Sequence, residues 1–242
     1  MNDLTVETLV GDLVRAVPAR SRVFESLGID YCCGGKRPLA EVCRAKGLDP
    51  ARVMGLLREA EAVAVPAGVD PDAMGLAELC DHIERVHHDY LRDELPRLDF
   101  MTRKVAAVHG GHEPRLVEIR EVFEAFRDEI VSHTREEEAV VFPLIRDVER
   151  GAGDGLAAGG GGKLREALGR LEREHERAGG ALERLSELSD RHTPPDWACN
   201  TFRALYDALG RLERNMHQHV HKENNVLFPR ALAMGRATGG GA

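Results

Sequence analysis

The sequence predicts an all-α protein: an up-down-up-down four-helix bundle preceded by a small helical N-terminal domain. Three observations carry this. Leu, Ala, Glu and Arg are abundant while aromatics make up 5% of the 242 residues, a mixture that favours helix by intrinsic propensity. No extended Val/Ile/Thr alternation marks a strand. Beyond residue 75, four long helix-compatible stretches are separated by segments rich in Gly and Pro.

Residues 1–66 read as the small helical domain. Leu4–Val17 is amphipathic, with Leu4, Thr8, Val10, Leu13, Val14 and Val17 mostly on one side. Asp49-Pro50 starts a second helix, with Asp as N-cap and Pro at the first helical position. Val65–Gly75, with Pro66, Gly68, Pro71 and Gly75, reads as a linker. The bundle follows over residues 76–234. Its first helix spans Leu76–Val108, with Pro96 as a candidate kink, and ends at the Gly110–Pro114 segment. Its second spans Arg115–Arg150, followed by the Gly/Ala loop Gly151–Gly162. The third, Lys163–Arg191, stops before Thr193-Pro194-Pro195, because proline cannot continue a helix interior. The fourth covers Asp196–Ala233, ahead of a Gly-rich tail. Similar helix lengths and modest loops suit antiparallel neighbours.

The net charge of −8 falls entirely after residue 66, since residues 1–66 hold nine basic and nine acidic side chains. An acidic surface repels phosphate backbones, so no nucleic-acid partner is expected. The first eleven residues lack a basic n-region and an apolar h-region, and no apolar run is long enough for a membrane span. The expected setting is the cytoplasm, away from membranes. Five cysteines, two of them adjacent, fit a reducing compartment better than a disulfide framework.

The second and fourth bundle helices carry one pattern twice. His133-x-x-x-Glu137-x-x-x-x-Phe142-Pro143 is matched by His219-x-x-x-Glu223-x-x-x-x-Phe228-Pro229. The first and third helices extend the repeat: His88 precedes His133 by 45 residues and His175 precedes His219 by 44. Side chains at i and i+4 share a helix face with Cβ atoms ~5–6 Å apart, so each His–Glu pair can converge on one ion. Antiparallel packing would bring all four histidines to one level. Four imidazoles and two carboxylates suit two iron ions, with each carboxylate bridging and room left for an oxo bridge, oxygen or nitric oxide. One His-x-x-x-Glu alone is a common surface pair; two in matching context are not. A competing scheme draws Glu84-x-x-His87 and Glu172-x-x-His175 together with Glu137 and Glu223, as in carboxylate-rich di-iron bundles. It leaves His88, His133 and His219 without a role.

The remaining histidines read more blandly. His217 and His221 lie ~200° around the helix from His219 and are expected on the outer face. His82, His112 and His192 read as surface or loop residues, and His87 cannot share the direction of His88. His109, at a helix end, is a candidate for supporting a metal ligand or lining an entry path. Cys32-Cys33-Gly34-Gly35 reads as a tight turn whose thiols Lys36 and Arg37 could activate. Cys43, Cys80 and Cys199 read as small packed hydrophobes.

The bundle resembles hemerythrin-type domains. The chain as a whole resembles the iron–sulfur cluster repair di-iron proteins, on Asp30-Tyr31-Cys32-Cys33-Gly34-Gly35-Lys36 and on His219 with Glu223-Asn224-Asn225-Val226-Leu227-Phe228-Pro229-Arg230-Ala231-Leu232. The resemblance implies an oxo- and carboxylate-bridged di-iron centre on His88, His133, Glu137, His175, His219 and Glu223. It implies repair of clusters damaged by nitric oxide or peroxide, with damaged iron–sulfur proteins or a cluster scaffold as partners and oxygen or nitric oxide as small ligands. It further implies a role for Cys32 and Cys33 in iron transfer or redox contact, and is compatible with a homodimer. Oxygen-carrying hemerythrins use five histidines and an Asp where this chain has Asn224, so these irons would be more open. A hemerythrin-like oxygen or nitric oxide carrier or sensor, and a di-iron oxidase or nitric oxide reductase, are the competing readings; a simple carrier has no need of the Cys-Cys unit.

Overall fold

The computed structural model describes residues 4–62, 70–151 and 161–239. Part of the expected linker and most of the Gly151–Gly162 loop lie outside the described residues. Among the described residues the regular structure is helical. In the N-terminal unit, α1 (Val10–Ala16), α2 (Ser21–Ser26), α3 (Leu39–Lys46) and α4 (Pro50–Ala62) pack around Val10, Leu13, Phe24, Tyr31, Leu39 and Leu57. Asp49 starts α4 as its sequence position suggested, its Oδ1 accepting the Ala51 N–H at 3.0 Å. Gly47 ends α3 at φ 65°, a left-handed cap open to glycine without a Cβ clash.

Four long arms form the bundle. The first joins α5 (Leu76–Ile83) to α6 (Asp89–His109); the second joins α7 (Arg115–Glu136) to α8 (Phe142–Glu149). The third is α9 (Gly161–Leu188), and the fourth joins α10 (Asn200–Lys222) to α11 (Phe228–Gly239). α6 stays helical through Pro96. The orphan N–H groups opening α5 are met by Glu149 at the far end of α8: Leu76 donates to Oε1 at 2.5 Å and Ala77 to Oε2 at 2.9 Å.

Each composite arm is joined by a π turn: Glu84–His88, Glu137–Val141 and Glu223–Leu227. The N–H groups of Asp89, Phe142 and Phe228 each reach the carbonyl five residues back. In two cases the next residue is proline, Pro143 or Pro229, which has no N–H to give the preceding turn. Such turns are rare and concentrate at functional positions.

The bundle interior has two apolar layers. One holds Leu91, Leu98, Phe123, Phe126, Leu182, Phe202 and Leu212; the other holds Leu79, Ile83, Phe142, Ile145, Leu168 and Phe228. The π turns lie at the boundary between them.

The N-terminal unit docks on the bundle of its own chain. Arg15 pairs through two 2.6 Å hydrogen bonds with Asp72, in the segment that leads into α5, and Lys36 pairs with Glu172 of the bundle at 2.8 Å. Asn225 donates to the Cys32 carbonyl at 3.2 Å. Gly11 and Gly35 make room for Asn225: a Cβ added to them would sit 2.6 Å and 2.9 Å from its Oδ1.

Candidate metal centre

At the boundary between the two layers the four arms bring together His88, His133, Glu137, His175, His219 and Glu223, all at most 3% exposed. Their ligating atoms form two groups. One contains His88 and His219, the other His133 and His175, and both glutamates belong to both groups. The carboxylate oxygens divide accordingly. Glu137 Oε2 lies 3.3 Å from His88 Nε2, while its Oε1 lies 3.1 Å from His133 Nε2. Glu223 Oε1 lies 3.1 Å from His219 Nε2, while its Oε2 lies 3.2 Å from His175 Nε2. Each glutamate therefore presents one oxygen to each half, which is the geometry of a bridging carboxylate.

The polar atoms fit cations better than they fit one another. Neither Glu137 oxygen, nor Glu223 Oε2, accepts a hydrogen bond among the described residues, despite imidazole nitrogens 3.1 to 3.3 Å away. His88 and His219 point their Nε2 atoms at each other at 3.2 Å, as do His133 and His175 at 3.0 Å. Two imidazole nitrogens aimed at a common point are a poor protein contact and a good metal seat. Buried carboxylates without hydrogen bonds are expensive unless a cation joins them. Imidazole and carboxylate ligands with free coordination positions suit non-haem iron.

Electrostatics show the same strain. Burial opposes a charged His133, but the Glu137 carboxylate outweighs it and pushes His133 up to about 10. Burial also opposes ionisation of Glu137 and Glu223. Glu223 adds to that pressure on Glu137, yet His133 holds Glu137 below the ordinary carboxylate range, and His175 does the same for Glu223.

Several supporting residues surround the six. His88 Nδ1 meets Glu138 at 2.7 Å, His133 Nδ1 meets Glu174 at 2.8 Å, and His175 Nδ1 meets Asn224 Oδ1 at 2.8 Å. Such contacts fix the tautomer that leaves Nε2 free for a metal. The Phe142 ring stacks on His88, with centroids 5.7 Å apart and planes 12° apart; Phe228 stacks on His175 at 6.0 Å and 9°. The repeated Phe thus covers the His of its own hairpin partner. The repeat contains these two phenylalanines, but sequence spacing alone assigns them no contact.

Other sequence expectations are corrected. Glu84 pairs with Arg146 and Glu172 with Lys36, so the carboxylate-rich scheme does not assemble. His221 is not on an open outer face. It is buried, edge-on to Tyr31 at 5.4 Å, because the N-terminal unit covers that side of α10; His217, half-buried, meets Tyr31 at 5.9 Å. His82 and His87 are buried too. His87 stacks on His219, and burial drives its basicity down to about 2. His192 bonds Ser189 at 2.9 Å and Glu213 at 2.8 Å, tying down a turn in which Asp190, Arg191 and His192 all have positive φ. His109 ends α6, roughly 30 Å from His88 at the helical rise. It meets Cys199 Sγ at 3.3 Å and Trp197, well away from the cluster. Lys36 and Arg37 turn to Glu172 and Glu41 rather than to the thiols. The Cys33 thiol, together with burial, pushes Cys32 well above its usual range. Cys32 Sγ lies 3.0 Å from Asp30, and Cys33 Sγ donates to the His175 carbonyl at 3.3 Å.

Two glutamates shared between two imidazole pairs, inside four antiparallel arms, define a cation-binding bundle of the hemerythrin class. Residues 81–231 match the hemerythrin HHE cation binding domain, and residues 6–61 match ScdA_N, a domain of unknown function. The chain is 34% identical over 224 residues to the iron-sulfur cluster repair protein YtfE of Enterobacter sp. (strain 638), covering 93% of this chain and 96% of that one. The proteins of the same name from Escherichia coli O17:K52:H18 and Escherichia fergusonii match with the same identity and coverage. The chain belongs to this family of iron–sulfur cluster repair proteins. Among the described residues no helix is long and apolar enough to cross a membrane.

Proposed function

We propose that this protein restores iron–sulfur clusters damaged by nitric oxide or peroxide in the cytoplasm, and that it does so by supplying iron. The observation that supports this most is the division of the Glu137 and Glu223 oxygens between two histidine pairs. It provides places for two cations, of which one can leave while both carboxylates keep a partner. Loaded with iron, the centre would supply redox-active cations with coordination positions open to nitric oxide or oxygen.

The chain's own residues hold and screen that site. His88, His133, His175 and His219 would offer Nε2 to a bound iron, which takes the place of any proton there, and three of the rings are set by contacts at Nδ1. Phe142 and Phe228 exclude water from one face of His88 and of His175. Cys33, half-exposed, stands at the backbone of a ligand-bearing turn of α9, and Cys32 is its immediate neighbour. Thiolates accept iron and are the ligands of the clusters to be rebuilt, so the pair is assigned to passing iron towards a damaged protein or a cluster scaffold.

The test separates supply from carriage. Cys32→Ser/Cys33→Ser should keep two irons and an unchanged di-iron absorption spectrum, yet restore a nitric-oxide-damaged iron–sulfur enzyme more slowly than the wild type under reducing conditions. If the wild type restores no activity and keeps all its iron while binding oxygen or nitric oxide reversibly, the ligand-carrier reading replaces repair.

A further inference from the structure

The four imidazoles are not held alike. Three are tied at Nδ1: His133 by Glu174, His175 by Asn224 and His88 by Glu138. The fourth, His219, is fully buried, and its Nδ1 has no hydrogen-bond partner among the described residues. Against its ring lies His87 instead, parallel within 5° and with centroids 5.2 Å apart. His87 is itself firmly placed. Its Nδ1 meets Asn215 Oδ1 at 3.2 Å, and its Nε2 accepts from Lys222 Nζ at 2.6 Å. The single tautomer with hydrogen on Nδ1 satisfies both contacts.

The tie on His88 is also divided, since Glu138 Oε1 accepts from the Arg92 guanidinium as well. By contrast, each imidazole of the His133/His175 half has its own hydrogen-bond acceptor. Both halves share the same two carboxylates, so the difference between them lies in their imidazoles. A hydrogen bond at Nδ1 orients the ring and strengthens the donor at Nε2; losing it typically weakens metal binding 10- to 100-fold. Stacking fixes the plane of a ring but leaves it free to slide and adds nothing to the basicity of Nε2.

We propose that His87 is a positioning residue for His219, and that the half of the centre formed by His88 and His219 gives up its iron while the half formed by His133 and His175 keeps it. The inference rests on reading the cluster as a two-iron centre that supplies iron, and it names which iron is supplied. A fixed second iron holds Glu137 and Glu223 in place after the first has gone, so the emptied half keeps its shape for reloading.

The experiment loads the full-length protein with iron-57, reduces it anaerobically, and follows release to a ferrous chelator, with Mössbauer spectra of the one-iron stage. The wild type should release one iron roughly 10-fold or more faster than the other and pass through a one-iron species with a single spectral environment. His87→Leu should speed the fast phase several-fold and leave the slow phase and its spectrum unchanged. Glu174→Gln should speed the slow phase alone and bring the two together, a change that general loosening would not confine to one phase. Release of both irons in one phase by the wild type overturns the proposal. So does acceleration of the fast phase by Glu174→Gln, or a wild-type chain that holds fewer than two irons. Repair is scored separately: two-phase release without rescue of a damaged enzyme sinks iron supply and leaves the asymmetry standing, and one-phase release with rescue does the reverse.

Discussion

Replacing Glu137 with Gln removes the charge of a bridging group and preserves its volume. The carboxylate faces His88 through one oxygen and His133 through the other, so the change weakens both halves of the centre at once. Loss of a hydrogen bond to a ligand already costs 10- to 100-fold in metal affinity, and loss of a shared ligand should cost at least the upper end. A 100-fold loss is about 2.7 kcal/mol of iron-linked stability. For a chain of this length that is roughly 5–11 °C of the iron-induced rise in Tm. The metal-free protein responds differently, because there the substitution removes one of two mutually repelling buried charges while depriving His133 of its partner. The iron-bound Tm should therefore fall by more than the metal-free Tm. Glu84→Gln is the control: it disturbs only an ion pair with Arg146, which Asp81 also contacts, at about 0–1 kcal/mol and with no loss of iron. The assay is calorimetry with and without ferrous iron under anaerobic conditions, alongside an iron count. If Glu84→Gln abolishes the iron-induced rise and Glu137→Gln keeps it, the bridging argument is wrong.

Further outcomes follow from the same geometry. A fragment starting at Asp72 should fold as a helical bundle and hold two irons, since all six cluster residues lie beyond it; circular dichroism and metal analysis check this, and loss of both signals would make the N-terminal unit part of the bundle core. Gly35→Ala places a Cβ 2.9 Å from Asn225 Oδ1 and 3.2 Å from the Gly11 Cα, an overpacking cost of about 1–3 kcal/mol. Cys32 should then react with a thiol reagent on the order of 10- to 100-fold faster at unchanged iron content, and an unaltered labelling rate would mean the unit is not held by this contact. Phe142→Leu and Phe228→Leu should each leave two irons bound but speed chelator access to the half containing His88 or His175 respectively; slower access in either variant would contradict their role as covers.

The helical bundle and the six-residue cluster were legible because histidine and glutamate at one helical face are distinctive, and because the chain states the pattern twice. Spacing identifies a face but not what covers it. The angle between His219 and His221 correctly puts His221 on the opposite side of α10, and nothing local reveals that Tyr31, some 190 residues earlier, packs there. Adjacent residues such as His87 and His88 diverge by ~100° around a helix, yet a bundle helix with neighbours on both sides can bury both. The anchors Glu138, Glu174 and Asn224 were unreadable for another reason: two of them are glutamates among many on the surface, marked only by their distance to an imidazole. The thiols mislead in a related way. Lys36 and Arg37 are close in sequence, but Glu172 on the bundle claims the first and Glu41, four residues on, the second.

Each half of the centre draws imidazoles from both hairpins, His88 with His219 and His133 with His175. Neither hairpin alone can therefore complete even one half. A single hairpin of this design could assemble such a site only by pairing with another copy, and joining two in tandem turns that encounter into an intramolecular one. The chain between residues 152 and 160 is where the join lies. Two separately expressed pieces divided there should be complementary, each incompetent alone and reunited by ferrous iron, so that the metal acts as the stitch that reports when both halves of the chain have found each other.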